Sequence, residues 1–205
     1  MINSVTISTD PERAVIIFKR LIAAFSEKKI PWLCQENLPQ EQFLPATIEK
    51  GSPEHSCFLW FVAPLMRGKI KSDDVLKRVG LLYEKESSLF RPEKVAAFSD
   101  VVVTAYLKSV GIRYKAAEFG ASWVKNAAGL ENYGWDPIKP FSDARRYRDI
   151  WTVLKVKDIF AGWREKILSL LTLWYEEAGF IKPLYGPPAL DIHKLRVLFE
   201  TSILN

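Results

Sequence analysis

At 205 residues the chain has room for one generous domain or two small ones, and 48% apolar with 26% charged residues is the make-up of a folded protein rather than a disordered one. Two cysteines and two histidines are too few for a disulfide framework, a four-cysteine zinc or iron–sulfur site, or a histidine-rich centre, so no metal and no cofactor are expected. Twenty-nine basic against 24 acidic residues, net +5, lean toward a polyanionic partner such as nucleic acid.

In chain order, the polar start MINSVTISTD lacks the basic-then-apolar pattern of a signal peptide. Asp10-Pro11-Glu12 reads as a cap, a first-position proline and an acidic first turn, and Ala14, Ile17, Leu21 and Ala24 share one face, which predicts a helix from Pro11 to Lys28. Pro31, Pro39, Pro45 and Pro53 mark residues 29–54 as a connecting segment, with a short helix expected over 45–50. The run CFLWFVAPLM after His55 is apolar all round, as in a helix at the centre of a bundle, and is about half the length that crosses a bilayer. Arg67-Gly68-Lys69 ends it. No membrane contact is expected, and the location is cytoplasmic, nucleoid-associated if the source is prokaryotic.

Ser72-Asp73-Asp74 opens the next helix, with Val75, Leu76, Val79, Leu82 and Tyr83 inward. Pro92 and Ser99-Asp100 start two short helices, and the β-branched run Val101 to Thr104 is too brief to make a strand there. From about Tyr114, the residues Ala116, Trp123, Ala127 and Leu130 recur at helical spacing up to Gly134. Ser142-Asp143 reads as the cap of a further segment, Thr152 to Phe160 as the next helix, and Trp163 to Ala178 as a long amphipathic helix stopped by Gly179. After KPLYGPP, Asp191 can cap a last helix reaching Leu204. The fold class is all-α, about ten short helices.

Two segments stand out chemically. Phe160-Ala161-Gly162-Trp163-Arg164-Glu165-Lys166 is a tight turn at a glycine followed by a helix with lysine in its first turn. Gly186-Pro187-Pro188-Ala189-Leu190-Asp191-Ile192-His193-Lys194-Leu195-Arg196 is a Gly/Pro-rich loop ending in an aspartate at a helix start. A first-turn lysine alone is usually a solvated charge and an Asp before a helix usually a cap. Most of the seven tryptophans are core, Trp60 and Trp123 among them, and Arg145-Arg146 with Arg148 reads as a solvated face or a set of phosphate contacts.

In order and context, however, the two segments resemble the helix-hairpin-helix DNA glycosylase superfamily, endonuclease III-like, over roughly residues 55 to 200. FLWFVAPLMRGKIKSDDVLKRVGLLYEK is similar to the family's first barrel helices. The resemblance implies two helical lobes with a cleft between them: residues 55–165 as a six-helix barrel-like lobe including the hairpin, and 1–54 with 166–205 as the second. It implies a base-excision glycosylase with AP lyase activity, Lys166 as Schiff-base nucleophile and Asp191 as catalytic carboxylate. Gly162, Trp163, Arg164, Lys69 and Arg196 would hold nucleic acid, with Met66 and Trp163 as candidate wedges beside a flipped nucleotide. It implies damaged double-stranded DNA as the partner and a monomer, and with no cysteine quartet after Asp191 a member without an iron–sulfur cluster is expected.

The second hairpin glycine of the family is Arg164 here, so a guanidinium replaces bare amides in facing phosphate. The separation from Lys166 to Asp191 is longer than in typical members. A nucleophilic amine must shed its proton near neutral pH, which burial and neighbouring positive charge promote; Lys166 follows Arg164 by two residues at the positive end of a helix. The alternatives are base removal from a nucleoside or RNA, and a non-catalytic nucleic-acid-binding or protein-binding module on the same scaffold.

Overall fold

A computed structural model describes residues 8–27, 29, 39–67, 70–156, 158–184, 186 and 201. The described residues contain ten α-helices and no strand. Chain contacts divide the protein into a unit of Met1–Leu38 with Leu190–Asn205 and a larger unit, Pro39–Ala189.

In the first unit, α1 spans Pro11–Ser26, two residues short of the expected end. Asp10 caps it as the sequence suggests, its carboxylate accepting the Arg13 N–H at 2.9 Å, and the Arg13 Nε donates to the Thr201 carbonyl at 2.5 Å.

The larger unit is built around α3 (Pro53–Val62), which begins two residues before His55 because Ser52 accepts the His55 N–H and Pro53 supplies the first helical φ. Phe58, Leu59, Trp60 and Val62 are fully buried, as an all-round apolar helix must be, and the chain continues through a 3₁₀ turn at Ala63–Leu65. The remaining helices are α2 (Pro39–Gln42), α4 (Ser72–Lys85), α5 (Pro92–Val95), α6 (Asp100–Ser109), α7 (Ala116–Gly129), α8 (Lys139–Ser142), α9 (Tyr147–Trp151) and α10 (Glu165–Glu177). Rings fix their places on α3. Phe58 stacks on Phe90, just after α4, with centroids 5.5 Å apart, and Phe61 stacks on Trp123 of α7 at 5.2 Å. The Tyr175 hydroxyl of α10 donates to the Ser56 carbonyl at 3.0 Å.

Several boundaries differ from expectation. The helix expected over 45–50 is a series of turns, and the short helix lies earlier, at α2, where Pro39 occupies the first position. Ser142 closes α8 instead of capping a new helix, its hydroxyl turned back to the Lys139 carbonyl at 2.9 Å. The following helix, α9, starts at Tyr147, because Asp149 from its first turn accepts the Arg145 and Arg146 N–H groups at 3.0 and 2.9 Å. The helix expected to reach Phe160 ends in a π-helical turn at Thr152–Val156, and Asp158 enters a left-handed conformation at φ 48°. Within the larger unit α2 packs on α4, and α10 packs on α3, where the Tyr175 hydroxyl reaches the Ser56 carbonyl. The helix expected from Asp191 lies outside the described residues.

Candidate nucleic-acid interface

Residues 158–164 form a loop leading into α10, and α7 anchors it residue by residue. Lys125 pairs with the exposed Asp158 at 3.1 Å, a contact worth little in water. Two buried contacts do more. Asn126, 1% exposed, donates from Nδ2 to the Ala161 carbonyl at 3.0 Å and accepts the Ala161 N–H on Oδ1 at 2.7 Å, so one amide side chain satisfies both backbone groups of a loop residue. Gly129 lets the loop sit down on the end of α7: a Cβ there would lie 2.6 Å from the Phe160 ring and 2.8 Å from the Ile159 carbonyl oxygen.

Gly162 has φ +81°, a conformation strained for any other residue, and faces the Arg67 guanidinium. Trp163, expected against nucleic acid, is instead 1% exposed, its indole centroid 4.7 Å from that of Trp60 on α3. It is a core residue, because the loop folds inward onto α3. Met66, a candidate wedge, is likewise buried.

At Arg164 and Glu165 the chain returns briefly to the surface before α10 buries its inner face. Arg164 is the extended N-cap residue of α10, exposed, with no side-chain capping bond, and its carbonyl accepts the Leu168 N–H at 2.9 Å. The N–H groups of the first turn therefore have no acceptor within the helix, and the helix dipole adds positive potential there. Lys166 is the second residue of α10 and half-buried.

Tyr147 of α9 braces this turn. Its hydroxyl donates to the Glu165 carbonyl at 3.2 Å and lies 3.0 Å from the Ser169 Oγ, so Ser169 must be the donor in the second bond. Burial raises the phenol's pKa above its usual value, which keeps it a neutral donor. Gly186 lies against the other side of this link, since a Cβ there would fall 2.6 Å from the Tyr147 Cδ2. Gly186 and the first turn of α10 thus meet at one tyrosine.

The structure accordingly brings together Gly162, Arg164 and Lys166, with Gly186 of the second segment, and removes Trp163 to the core. Lys69, Asp191, His193 and Arg196 lie outside the described residues. Arg145, Arg146 and Arg148 are exposed. Sequence reasoning missed Asn126, Gly129 and Tyr147 as supports. A signal existed for the first: Asn126 is a polar residue on the face of α7 that carries Trp123, Ala127 and Leu130.

No family model, curated protein or solved structure matches this chain. The reading of its function therefore rests on the residues themselves.

Away from the hairpin, two cavities of about 360 and 440 Å³ adjoin Pro53, Cys57 and Trp135. Burial pushes the Cys57 thiol up to about 12, helped by the carboxylates of Asp136, Glu93 and Glu54, so this sulfur is protonated at neutral pH and a poor nucleophile. Among the described residues no group of three or more His, Cys, Asp or Glu side chains could hold a metal ion, and no helix is long and apolar enough to cross a membrane.

Proposed function

We propose that this chain is a helix-hairpin-helix DNA glycosylase with AP lyase activity acting, as a monomer, on damaged double-stranded DNA in base-excision repair. The observation that carries the reading is the support given to α10: a loop pinned to α7 leads into Lys166, half-buried in the first turn of the helix, and Tyr147 ties that turn to Gly186. A rigid mount of this kind suits covalent catalysis, where a nucleophile misplaced by an ångström loses much of its rate.

In the proposed reaction the Lys166 amine attacks C1′ of a flipped-out nucleotide and the C–N bond to the damaged base breaks, the base leaving with a proton. The Asp191 carboxylate stabilises positive charge on the sugar and relays protons. Opening of the sugar ring gives a Schiff base between Lys166 and C1′, and β-elimination then expels the 3′ phosphate. Arg164 grips the backbone where bare amides would otherwise do so.

Borohydride trapping on a panel of damaged duplexes tests this. Reduction of the imine is expected to give a covalent protein–DNA adduct that is lost in Lys166→Gln and strongly diminished in Asp191→Asn. Absence of adduct on every lesion with folded protein, or an adduct that survives Lys166→Gln, refutes it. Turnover of free nucleosides without duplex binding would point instead to base removal from a smaller substrate.

A further inference from the structure

Beside the loop, two cations pair with one carboxylate and a third stands nearby. The Arg67 Nη2 lies 3.0 Å from the Glu118 Oε1, and the Lys115 Nζ lies 2.8 Å from the Glu118 Oε2. Arg164 is near enough to act electrostatically on both Arg67 and Glu118. Of these four side chains three are positive and one negative, a net of two positive charges.

Arg67 is the least solvated of the group, 17% exposed, its guanidinium carbon 5.2 Å from the Phe119 ring centroid. Its contact with Glu118 is a charge contact with poor hydrogen-bond geometry, since neither the buried Nε nor the buried Nη2 finds an acceptor among the described residues. A guanidinium whose donors are buried and unfilled is costly to keep and needs an acceptor better placed than this carboxylate. Nη2 also lies 3.2 Å from where a Gly162 Cβ would stand, so a group bound to it would sit against the hairpin. Lys115 and Glu118 are each more than 40% exposed, which leaves the cluster open to solvent on their side. Lys115 itself is in the left-handed conformation, φ 53°, which directs its ammonium to Glu118 immediately before α7 begins.

We infer that Arg67, Lys115 and Arg164 form a binding site for a phosphodiester of the nucleic-acid backbone, and that Glu118 is a competing anion that occupies these cations until a phosphate displaces it. This deepens the nucleic-acid reading of the hairpin and rests on it. Phosphate is favoured over a carboxylate ligand because it offers several acceptor oxygens at once to a fork-shaped guanidinium and an ammonium, whereas Glu118 already supplies a carboxylate and leaves two Arg67 donor atoms unfilled.

An undamaged fluorescent DNA duplex, titrated by anisotropy over a series of salt concentrations, tests the site without requiring catalysis. Glu118→Gln is expected to bind tighter, by on the order of fivefold, the ceiling for releasing an exposed ion pair. Lys115→Asn, which removes the charge but keeps a residue tolerant of positive φ, is expected to weaken binding and make the slope of log K against log salt shallower by about one. Arg67→Met is expected to weaken binding similarly, with Lys115→Asn as the safeguard should the buried change disturb folding. A Glu118→Gln affinity at or below the starting protein's, or an unchanged slope in Lys115→Asn, overturns the inference. Trapping at Lys166 with no such shifts leaves the glycosylase standing and removes this site; the shifts without trapping do the reverse. No duplex binding by either the starting protein or Glu118→Gln removes both.

Discussion

Replacing Gly129 with alanine tests directly whether the hairpin is seated on α7. Its backbone is helical, φ −60° and ψ −28°, where alanine would ordinarily stabilise by about 1 kcal/mol. Here the added methyl would stand 2.6 Å from the Phe160 ring and 2.8 Å from the Ile159 carbonyl oxygen, against the 3.4 Å at which ordinary contact begins. Neither neighbour can retreat easily. Phe160 is 4% exposed, edge-on to Trp60 at 5.3 Å and stacked on Tyr133 at 6.1 Å, while the Ile159 carbonyl adjoins Ala161, which Asn126 holds at both ends. Overpacking of this kind costs roughly 2–4 kcal/mol when both neighbours are fixed, so after the helix gain the net loss should be about 1–3 kcal/mol. At about 2–4 °C per kcal/mol for a domain of this size, the melting temperature should fall by roughly 2–12 °C. Urea unfolding followed by tryptophan fluorescence should show a lower midpoint at unchanged slope. A midpoint equal to or above that of the starting protein would mean the loop yields freely, and the argument for a rigidly mounted Lys166 would collapse with it.

Other outcomes follow from the same contacts. Asn126→Ala should cost about 2–4 kcal/mol, because it strands an N–H and a carbonyl of Ala161 together, and hydrogen exchange at the Ala161 amide should accelerate; unchanged exchange would show the clamp to be idle. Trp163→Ala should cost about 3–5 kcal/mol. Trp163→Phe should cost less, since it also removes an indole N–H that has no acceptor among the described residues, and should leave duplex affinity within twofold, whereas a tenfold loss would return the indole to the interface.

His55 gives a pH signature. Its Nδ1 accepts the Gly51 N–H at 3.1 Å, its Nε2 is buried, and its ring lies edge-on to Phe180, so burial lowers its pKa below 6.5, against an opposing pull from Glu41. In the window between the lowered folded value and 6.5 the unfolded chain binds a proton that the folded chain does not. This part of the stability is therefore complete above about pH 6.5 and is lost as pH falls. His55→Leu should flatten that limb of the urea midpoint against pH, and an undiminished slope would assign it to another group.

How far the sequence discloses this molecule depends on how local each determinant is. α1 is legible from its cap and apolar period, α7 and α10 from apolar residues at helical spacing, and α3 from an unbroken apolar run, and the all-helical character follows from them. α9 was misplaced because its cap works from within, through Asp149, and Ser142-Asp143 imitates the usual pattern. Trp163 was misassigned for a different reason. Its neighbours are polar and next to a turn, but its depth is set by Trp60, far away along the chain, and no local pattern carries that information. The positive-φ turn at Gly162 and the lysine after it lie in consecutive residues, whereas Asn126, Gly129 and Arg67 contribute through long-range contacts. The carboxylate half of the proposed chemistry, Asp191, falls outside the described residues.

The dependence of the loop on α7 bears on how such a motif could be transplanted. A peptide copied from residues 158–166 would carry the glycine turn and the lysine but none of what orients them, because Asn126, Gly129 and Lys125 belong to a separate helix. Grafting this hairpin onto another scaffold, or exchanging it among homologous chains, should succeed only when the supporting helix travels with it as a cassette.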